Sequence, residues 1–319
     1  MRRRDFLKST LAAGVAANLG VFPPSSSAPA TTPGSTLPRR PYKDGVELSI
    51  LGCGGIVVMG NSHEGAAKLV AEAVDAGVNY FDVAPSYGDG EAEVTLGTAL
   101  EPFREKVFLA CKTLRRDAGG AEEELHRSLD RLHTDRFDLY QFHAVTSRDD
   151  VEAIFAPAGA LEAFLDARRK GLIRFIGFSA HSETAALAMM ERFPFDSLLF
   201  PVNVVCYHRG NFGPRVLAEA KRRNVARLAL KALAHTPWPP DADRPYPKCW
   251  YKPVDDPEAA RSTLRFTLSE DVTAAIPPGD ERLFRLALRL AKEFTPLTPE
   301  ERELVLASTE GLEPLFTSP

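Results

Sequence analysis

The sequence predicts an α/β protein folded as a single-domain (β/α)8 barrel, a TIM barrel, over residues 45–319. Eight extended apolar runs alternate with amphipathic helical segments along this range, as expected where helices cover a parallel sheet. No linker rich in Pro, Gly or Ser interrupts the alternation. Barrels of this kind typically need about 250 residues as one unit, so one closed barrel explains the pattern better than two open sheets.

Eight runs rich in Val, Ile, Phe or Leu are predicted as the barrel strands. They cover residues 48–58, 79–83, 107–112, 137–142, 173–178, 197–204, 226–230 and 272–276. Nearly continuous apolar runs are typical of parallel strands because both faces of such a sheet are buried.

Helices are predicted between and after these strands. Leu125, Leu129 and Leu132 have the spacing of one helical face, with charged residues around them. Similar segments cover residues 64–76, 91–103, 158–170, 183–192, 214–223, 257–269 and 282–294. A last helix is expected over 298–308, where Thr298 and Glu301 have the spacing of a capping box, and it should pack across the barrel.

The first 30 residues have the layout of an export signal. A basic start at residues 2–4 precedes a mildly apolar stretch over 11–22, and Ala28-Pro29-Ala30 offers a small-x-small cleavage site. Residues 3–8 resemble the twin-arginine motif, although Arg2 stands where Ser or Thr is usual. A basic tail or a membrane anchor is the alternative, but a spanning helix needs about 20 apolar residues.

Export shapes three further expectations. The mature protein should reach the periplasm through the twin-arginine export machinery. It should have no stable membrane anchoring after cleavage, and residues 31–44 should form a Pro-containing linker.

Charge and cysteine usage restrict the classes of partner. The 39 basic and 43 acidic residues give a formal net charge of -4, without the basic excess that neutralises nucleic acid. Four cysteines, at positions 53, 111, 206 and 249, form no CxxC pair and no cluster with His at metal-ligand spacing. We expect no metal site and small buried thiols, while export leaves a disulfide open.

A long loop after the predicted seventh strand differs in composition from the rest. Residues 234–256 are rich in proline and aromatic residues, including Trp238, Trp250 and Tyr251. Barrel enzymes place substrate and phosphate contacts in loops at this end. A purely structural cover for the barrel explains the composition equally well.

Four polar residues stand near the carboxyl ends of predicted strands two, three and four. Asp82 and Tyr87 are five residues apart, Lys112 ends strand three, and His143 follows strand four. Hydride addition to a carbonyl carbon leaves negative charge on the oxygen, so a proton donor must lie within hydrogen-bond reach. A tyrosine can be that acid if a nearby ammonium lowers its pKa from about 10. Each residue alone is more often structural, but the joint order favours catalysis.

The segments that carry these residues resemble the aldo/keto reductase family over about residues 45–290. Residues 77–88 resemble its signature at the end of strand two, 109–113 supply the lysine, and 128–143 match its stretch from helix three to strand four. The resemblance implies a nicotinamide-dependent oxidoreductase on a (β/α)8 barrel. It also implies that Tyr87 is the general acid, Lys112 lowers its pKa, Asp82 holds Lys112, and His143 orients the carbonyl.

The residues expected at the nicotinamide follow the family less closely. Ser179 matches one member of a Ser-Asn pair that binds the carboxamide, but Ala180 replaces the Asn. Asn203 stands at the position of the usual Gln and has the same amide chemistry on a shorter side chain. Leu230 replaces the aromatic residue that commonly stacks on the nicotinamide ring.

The phosphate-binding residues depart further. Lys231 stands where a small polar residue is frequent, and as a point charge it suits the pyrophosphate. Pro278 and Gly279 replace the Lys-Ser pair that grips the 2′-phosphate, with Arg282 or Arg285 as candidate substitutes. Gly54 belongs to the first barrel turn, because the glycines around it lack a complete dinucleotide fingerprint. The resemblance implies NADP as cofactor, with NAD as the alternative.

Two functions remain open from the sequence. The first is reduction of an aldehyde or ketone to an alcohol, or the reverse, on a small-molecule substrate. The second is an exported nicotinamide-binding scaffold or sensor with little turnover, which the departures at Ala180, Leu230 and Pro278 favour. The fold cannot choose between them, whereas the complete group of four favours the enzyme.

Overall fold

Eight parallel strands form a barrel in the computed structural model, which describes residues 36–318. The strands in chain order are β1 Arg39–Pro41, β2 Glu47–Ser49, β3 Cys53–Gly54, β4 Tyr80–Asp82, β5 Phe108–Thr113, β6 Phe137–Val145, β7 Ile173–Ala180, β8 Ser197–Pro201, β9 Ala226–Leu230, β10 Ala234–Pro237, β11 Tyr251–Pro253 and β12 Ala274–Ile276. Strands β3 to β9 are neighbours in chain order, with β12 beside β9. A parallel bridge between Leu51 and Ala275 closes the barrel. The predicted (β/α)8 fold is confirmed.

Helices follow the strands at nearly all the predicted places. They are α1 His63–Asp75, α2 Glu91–Leu100, α3 Ala118–Arg131, α4 Arg148–Phe155, α5 Ala160–Arg169, α6 Glu183–Arg192, α7 Val204–His208, α8 Pro214–Arg222, α9 Pro257–Ser269, α10 Glu281–Lys292 and α11 Pro299–Ala307. The capping box of Thr298 and Glu301 opens α11 as predicted. Helices α4 and α7 were not predicted. Both begin at a polar cap, Ser147 and Asn203, whose side chain accepts a backbone N–H in the first turn.

Alternate residues of the strands fill the barrel interior. Tyr80, Phe108, Leu139, Phe175 and Leu199 pack together in one buried cluster inside the barrel, because side chains alternate between the two faces of a strand. The residues between them face the helices and join the larger outer core. The interior positions nearest the carboxyl ends of the strands are therefore free to carry polar groups.

The first predicted strand is wrong in its bounds. Within residues 48–58, the chain forms β2, the short β3 and a 3-10 turn at Gly55–Val58. Strand β1 lies inside the segment predicted as a linker and pairs antiparallel with β2. Tyr42, in the turn of this hairpin, packs edge-on against Phe108 and Phe175 at ring-centroid distances of 5.1 and 5.2 Å. The folded part thus begins before residue 45, because the hairpin closes the amino-terminal end of the barrel.

The long loop over 234–256 also contains structure. Strands β10 and β11 pair antiparallel within it, and Trp238 donates its indole N–H to the carbonyl of Cys249 at 2.8 Å. The four cysteines are buried as expected, with free thiols. Between residues 36 and 318 there is no cluster of metal-ligating side chains, and no helix there is long and apolar enough to cross a membrane. The predicted export signal lies outside the described residues.

Candidate active site

The four candidate catalytic residues meet at the carboxyl end of the barrel. Asp82 is the last residue of β4, Lys112 is next to last in β5, and His143 is near the end of β6. Tyr87 begins a 3-10 turn that ends at Gly90 and leads into α2. Inward-facing positions at neighbouring strand ends converge on one axis, so residues far apart in the sequence become neighbours.

Lys112 joins this group together. Its ammonium donates hydrogen bonds to the Asp82 carboxylate, to the carbonyl oxygen of Val83 at 3.1 Å and to the Tyr87 hydroxyl at 3.4 Å. The side chain is fully buried. Burial alone would lower the pKa of Lys112, but the Asp82 carboxylate outweighs it and raises that pKa above the usual value. Lys112 therefore stays charged.

Two neighbours hold the carboxylate in place. Gln141 donates to Asp82 Oδ2 at 2.9 Å, and the Tyr80 hydroxyl donates to the same oxygen at 3.2 Å. Neither residue was predicted from the sequence to have a role in the site. The sequence did contain a signal for them. Residues two apart in a strand lie on the same face, and Tyr80 precedes Asp82 by two positions as Gln141 precedes His143. The Asp82 carboxylate thus accepts hydrogen bonds from three buried side chains inside the barrel, those of Lys112, Gln141 and Tyr80.

The acidity of Tyr87 differs from the expectation. Burial raises the pKa of its phenol above the usual value, and although the ammonium of Lys112 lowers it, the balance is a raised pKa. Lys112 acts in the predicted direction, but desolvation of the phenolate is the larger effect. The Tyr87 hydroxyl therefore holds its proton at neutral pH, which suits a proton donor.

His143 lies beside Tyr87 with its ring edge-on, at a centroid distance of 5.7 Å. Burial, followed by the nearby charge of Lys112, lowers its pKa well below the usual value, so the imidazole is neutral. Its Nδ1 atom lies 3.5 Å from the Ser86 hydroxyl. When Ser86 donates there, the proton of the ring is on Nε2, and the ring can donate a hydrogen bond into the site.

A salt bridge supports the backbone of His143. Arg116 donates to the carbonyl oxygen of His143 at 2.7 Å and to Asp150 Oδ1 at 2.9 Å. A bulge in β6 lies just beyond, with Ala144 at φ 52° and its N–H donated to Ser179 Oγ at 2.8 Å. Bulges re-aim side chains near active sites, and Ser179 and Arg116 together fix this one.

Some of the residues expected at the cofactor share a cavity with the candidate catalytic group. Gly54, Lys231 and Gly279 line its wall together with Asp82 and Tyr87. Ser179 and Asn203 are buried at the ends of β7 and β8 and are not on that wall.

Asn203 has an unused donor. Its Oδ1 atom caps α7 by accepting the N–H of Cys206 at 3.0 Å, while its buried Nδ2 has no partner among the described residues. A buried amide donor without a partner costs about 1–3 kcal/mol. The carbonyl of a carboxamide would satisfy it, so this side chain fits the nicotinamide group that the resemblance implies.

The arginines expected at the 2′-phosphate are already paired. Arg282 donates to both carboxylate oxygens of Asp280 and to the carbonyl oxygen of Pro245 at 2.6 Å. Arg285 bridges Glu72 and Glu281. Neither guanidinium is on the wall of the cavity. These contacts do not support Arg282 or Arg285 as a 2′-phosphate ligand, since a paired cation gains little from a second anion.

Comparison with known proteins identifies similar sequences. The model of the Aldo/keto reductase family matches residues 51–279. An uncharacterized oxidoreductase of Bacillus subtilis is 32% identical over 138 residues, which is 40% of this chain and 43% of the relative. A second B. subtilis protein, an aldo-keto reductase, is 35% identical over 155 residues, covering 43% of this chain and 45% of that protein. The chain thus spans less than half the length of these relatives.

Solved structures share the fold over most of the chain. An aldo-keto reductase from Bacillus halodurans in its holo form superposes with a TM-score of 0.69 at 22% identity, covering 88% of this chain and 98% of that one. An aldo-keto reductase from Klebsiella pneumoniae in complex with NADPH gives a TM-score of 0.66 at 18% identity, covering 87% of this chain and 96% of that one.

Proposed function

This chain belongs to the aldo/keto reductase family, and on that premise we propose that it interconverts an aldehyde or ketone and the corresponding alcohol. Reduced nicotinamide, when bound, supplies the hydride that reaches the carbonyl carbon. The candidate catalytic residues would bind the carbonyl oxygen and give it a proton.

Proton donation falls to Tyr87. Its hydroxyl is protonated at neutral pH because burial raises its pKa, so it can give a proton to the oxygen as charge develops there. The phenolate that remains is stabilised by the ammonium of Lys112, 3.4 Å from the hydroxyl oxygen. Asp82 keeps that ammonium charged, and the neutral ring of His143 donates from Nε2 to orient the carbonyl.

One observation carries this proposal. A single buried ammonium contacts both the Asp82 carboxylate and the Tyr87 hydroxyl. A purely structural ion pair would need only the carboxylate. The added contact to the half-buried phenol of Tyr87 matches what a general acid requires after it has lost its proton.

Turnover tests the function directly. Purified protein is incubated with NADPH or NADH and a panel of aromatic and aliphatic aldehydes, and loss of the reduced cofactor is followed by absorbance. We expect aldehyde-dependent oxidation of the cofactor that follows the protein concentration. Cofactor binding without turnover of any aldehyde or ketone would contradict the proposal.

We further propose NADP as the cofactor, with NAD as the alternative. Support for NADP comes from the family, whereas the Asn203 amide would fit the carboxamide of either cofactor. The paired state of Arg282 and Arg285 weakens the case for a 2′-phosphate grip. Titration of the intrinsic fluorescence with NADPH and with NADH, in parallel, decides the preference, and tighter binding of NADH would reverse the assignment.

Export by the twin-arginine machinery to the periplasm is a separate proposal. It rests on Arg3, Arg4 and the cleavage site at residues 28–30. Cell fractions are probed for the full-length and mature chains, with Arg3→Lys/Arg4→Lys as the export variant. We expect mature protein in the periplasm for the unmodified sequence only. Full-length protein confined to the cytoplasm in both cases would refute export.

A further inference from the structure

A second lysine lies half-buried at the mouth of the barrel, without a carboxylate partner among the described residues. Lys231 follows β9 and has a left-handed backbone with φ 66°. Its ammonium lies 3.3 Å from Nε2 of His181, after β7. No acidic side chain lies within salt-bridge distance of it in the region from residue 36 to residue 318. Since the ammonium donates to Nε2, the His181 ring must be neutral there.

Aromatic rings surround the other sides of this ammonium. It lies 5.3 Å from the ring centroid of Trp250, 5.8 Å from that of Tyr251 and 5.9 Å from that of Phe316. Trp250 and Tyr251 come from the loop over 234–256, and Phe316 comes from the end of the chain. Ring faces attract cations, so these contacts stabilise the charge in part, but they provide no hydrogen-bond acceptor.

The ammonium is the prevailing form at neutral pH. Burial lowers the pKa of Lys231 to about 8, because desolvation penalises the charge. His181 is held neutral by burial, followed by the charge of Lys231, which together lower its pKa to about 3. The cavity wall therefore carries the ammonium of Lys231, which has unused donors, besides that of Lys248, which donates to the carbonyl oxygen of Val57 at 3.0 Å. An anion would stabilise the charge of Lys231.

This charge faces the candidate catalytic group. Lys231 lies on the same cavity wall as Tyr87 and Asp82. The charge of Lys231 also contributes to the lowered pKa of His143, after burial and the charge of Lys112. A ligand whose carbonyl oxygen is held by Tyr87 would thus have the cation of Lys231 within the same cavity.

We propose that Lys231 binds an anionic group on the carbonyl substrate, such as a carboxylate, so that the substrates of this enzyme are anionic aldehydes or ketones. The inference deepens the proposed reductase function and rests on it. The diphosphate of the cofactor is the other source of negative charge that could reach this lysine. The substrate is favoured because Lys231 shares its cavity with Tyr87, the proposed proton donor to the carbonyl oxygen.

Binding of a simple anion tests the pocket without turnover. Trp250 beside Lys231 serves as the fluorescent reporter, and benzoate is titrated against its neutral isostere benzamide in cofactor-free protein. We expect benzoate to bind at least about tenfold more tightly than benzamide, as for hydrogen bonds to a charged group. Lys231→Met and Lys231→Gln should remove this preference. Lys252→Met, at an exposed lysine next to Tyr251, is the matched control and should retain it.

Equal binding of benzoate and benzamide, or a preference that survives in both Lys231 variants, would overturn the assignment. Affinities for NADPH and NADH are measured for the same proteins. If the Lys231 variants lose cofactor affinity as strongly as they lose benzoate, the site belongs to the diphosphate and the substrate assignment is refuted.

Catalysis gives the second measurement. The ratio of kcat/KM for 4-formylbenzoate to that for its methyl ester should fall at least about tenfold in Lys231→Met and should not change in Lys252→Met. An unchanged ratio in Lys231→Met would contradict the inference while leaving the reductase function intact. Absence of turnover with both aldehydes would instead reject the reductase function, and the benzoate titration would still decide whether the anion pocket exists.

Discussion

Removing the charge of Lys112 should destabilise the protein far more than removing a surface lysine. The side chains of Lys112 and Asp82 are 1% and 3% exposed, so Lys112→Met leaves a buried carboxylate without its counter-ion. Breaking a buried pair from one side typically costs about 3–5 kcal/mol. Asp82 keeps the hydrogen bonds from Gln141 and Tyr80, which places the expected loss near the lower limit, about 3 kcal/mol.

The double variant Asp82→Asn/Lys112→Met separates charge from packing. The amide of Asn is uncharged, so the buried anion is gone, and we expect the double variant to be more stable than Lys112→Met alone by about 1 kcal/mol or more. Lys170→Met is the control. The pair of Lys170 with Asp166 is exposed at 51% and 36%, and exposed pairs contribute about 0–1 kcal/mol.

Urea unfolding at pH 7, followed by circular dichroism, gives the free energies of unfolding by linear extrapolation. A protein of ordinary stability, about 5–15 kcal/mol, leaves room to measure all four variants. A decrease in the free energy of unfolding that is no larger for Lys112→Met than for Lys170→Met would refute the prediction. The prediction is also refuted if the decreases in the free energy of unfolding for Asp82→Asn and Lys112→Met are additive in the double variant, because additivity would mean that the two charges do not interact.

The remaining predictions concern the acid, a supporting carboxylate and a helix contact. Tyr87→Phe should lower carbonyl reduction by about 10²- to 10⁴-fold with cofactor affinity within a few-fold of the unmodified protein, and steady-state kinetics with near-normal turnover would remove Tyr87 from the mechanism. The pKa of Asp150 is lowered to about 2, because hydrogen bonds and its salt bridge outweigh burial, so its stabilising effect is complete above its unfolded pKa near 4 and is lost as the pH falls towards 2. The stability difference between the unmodified protein and Asp150→Asn, about 1 kcal/mol or less because solvent screens this pair, should therefore shrink over this window in acid titrations of unfolding. A difference independent of pH would contradict the assignment. Gly97→Ala should destabilise α2, although alanine usually favours helices, because the added Cβ would lie 2.6 Å from the carbonyl oxygen of the last residue of α3. Gly119→Ala, where the nearest atom is 3.8 Å away, is the matched control, and equal melting temperatures for the two variants would refute the packing argument.

The sequence by itself determined the fold class and the candidate catalytic group. Strands and helices of the barrel follow from local apolar patterns, and the predicted bounds of α6 and α9 are the observed ones. Asp82, Lys112 and His143 are each near the end of a strand, and parallel strands in a barrel bring their carboxyl ends together. Their contact was therefore predictable from order and spacing, without any knowledge of distances.

Local pattern failed where distant parts of the chain decide the structure. The apolar run at 48–58 reads as one strand, but pairing with β1 and the closure of the barrel through Leu51 divide it into separate pieces. Arg282 was a candidate ligand of the 2′-phosphate, but in the structure its guanidinium is paired with Asp280 and with the carbonyl oxygen of Pro245.

Only the tertiary structure decided how burial and nearby charges combine to set the pKa values of the site residues. The sequence indicates that Lys112 lowers the pKa of Tyr87, whereas the depth of burial that reverses the outcome depends on the whole packed barrel. The surroundings of Lys231 are a similar case, because His181, Trp250 and Phe316 reach it from a strand end, a loop and the end of the chain. Desolvation and contacts across long sequence separations depend on the positions of atoms in space, and residue order alone does not specify these.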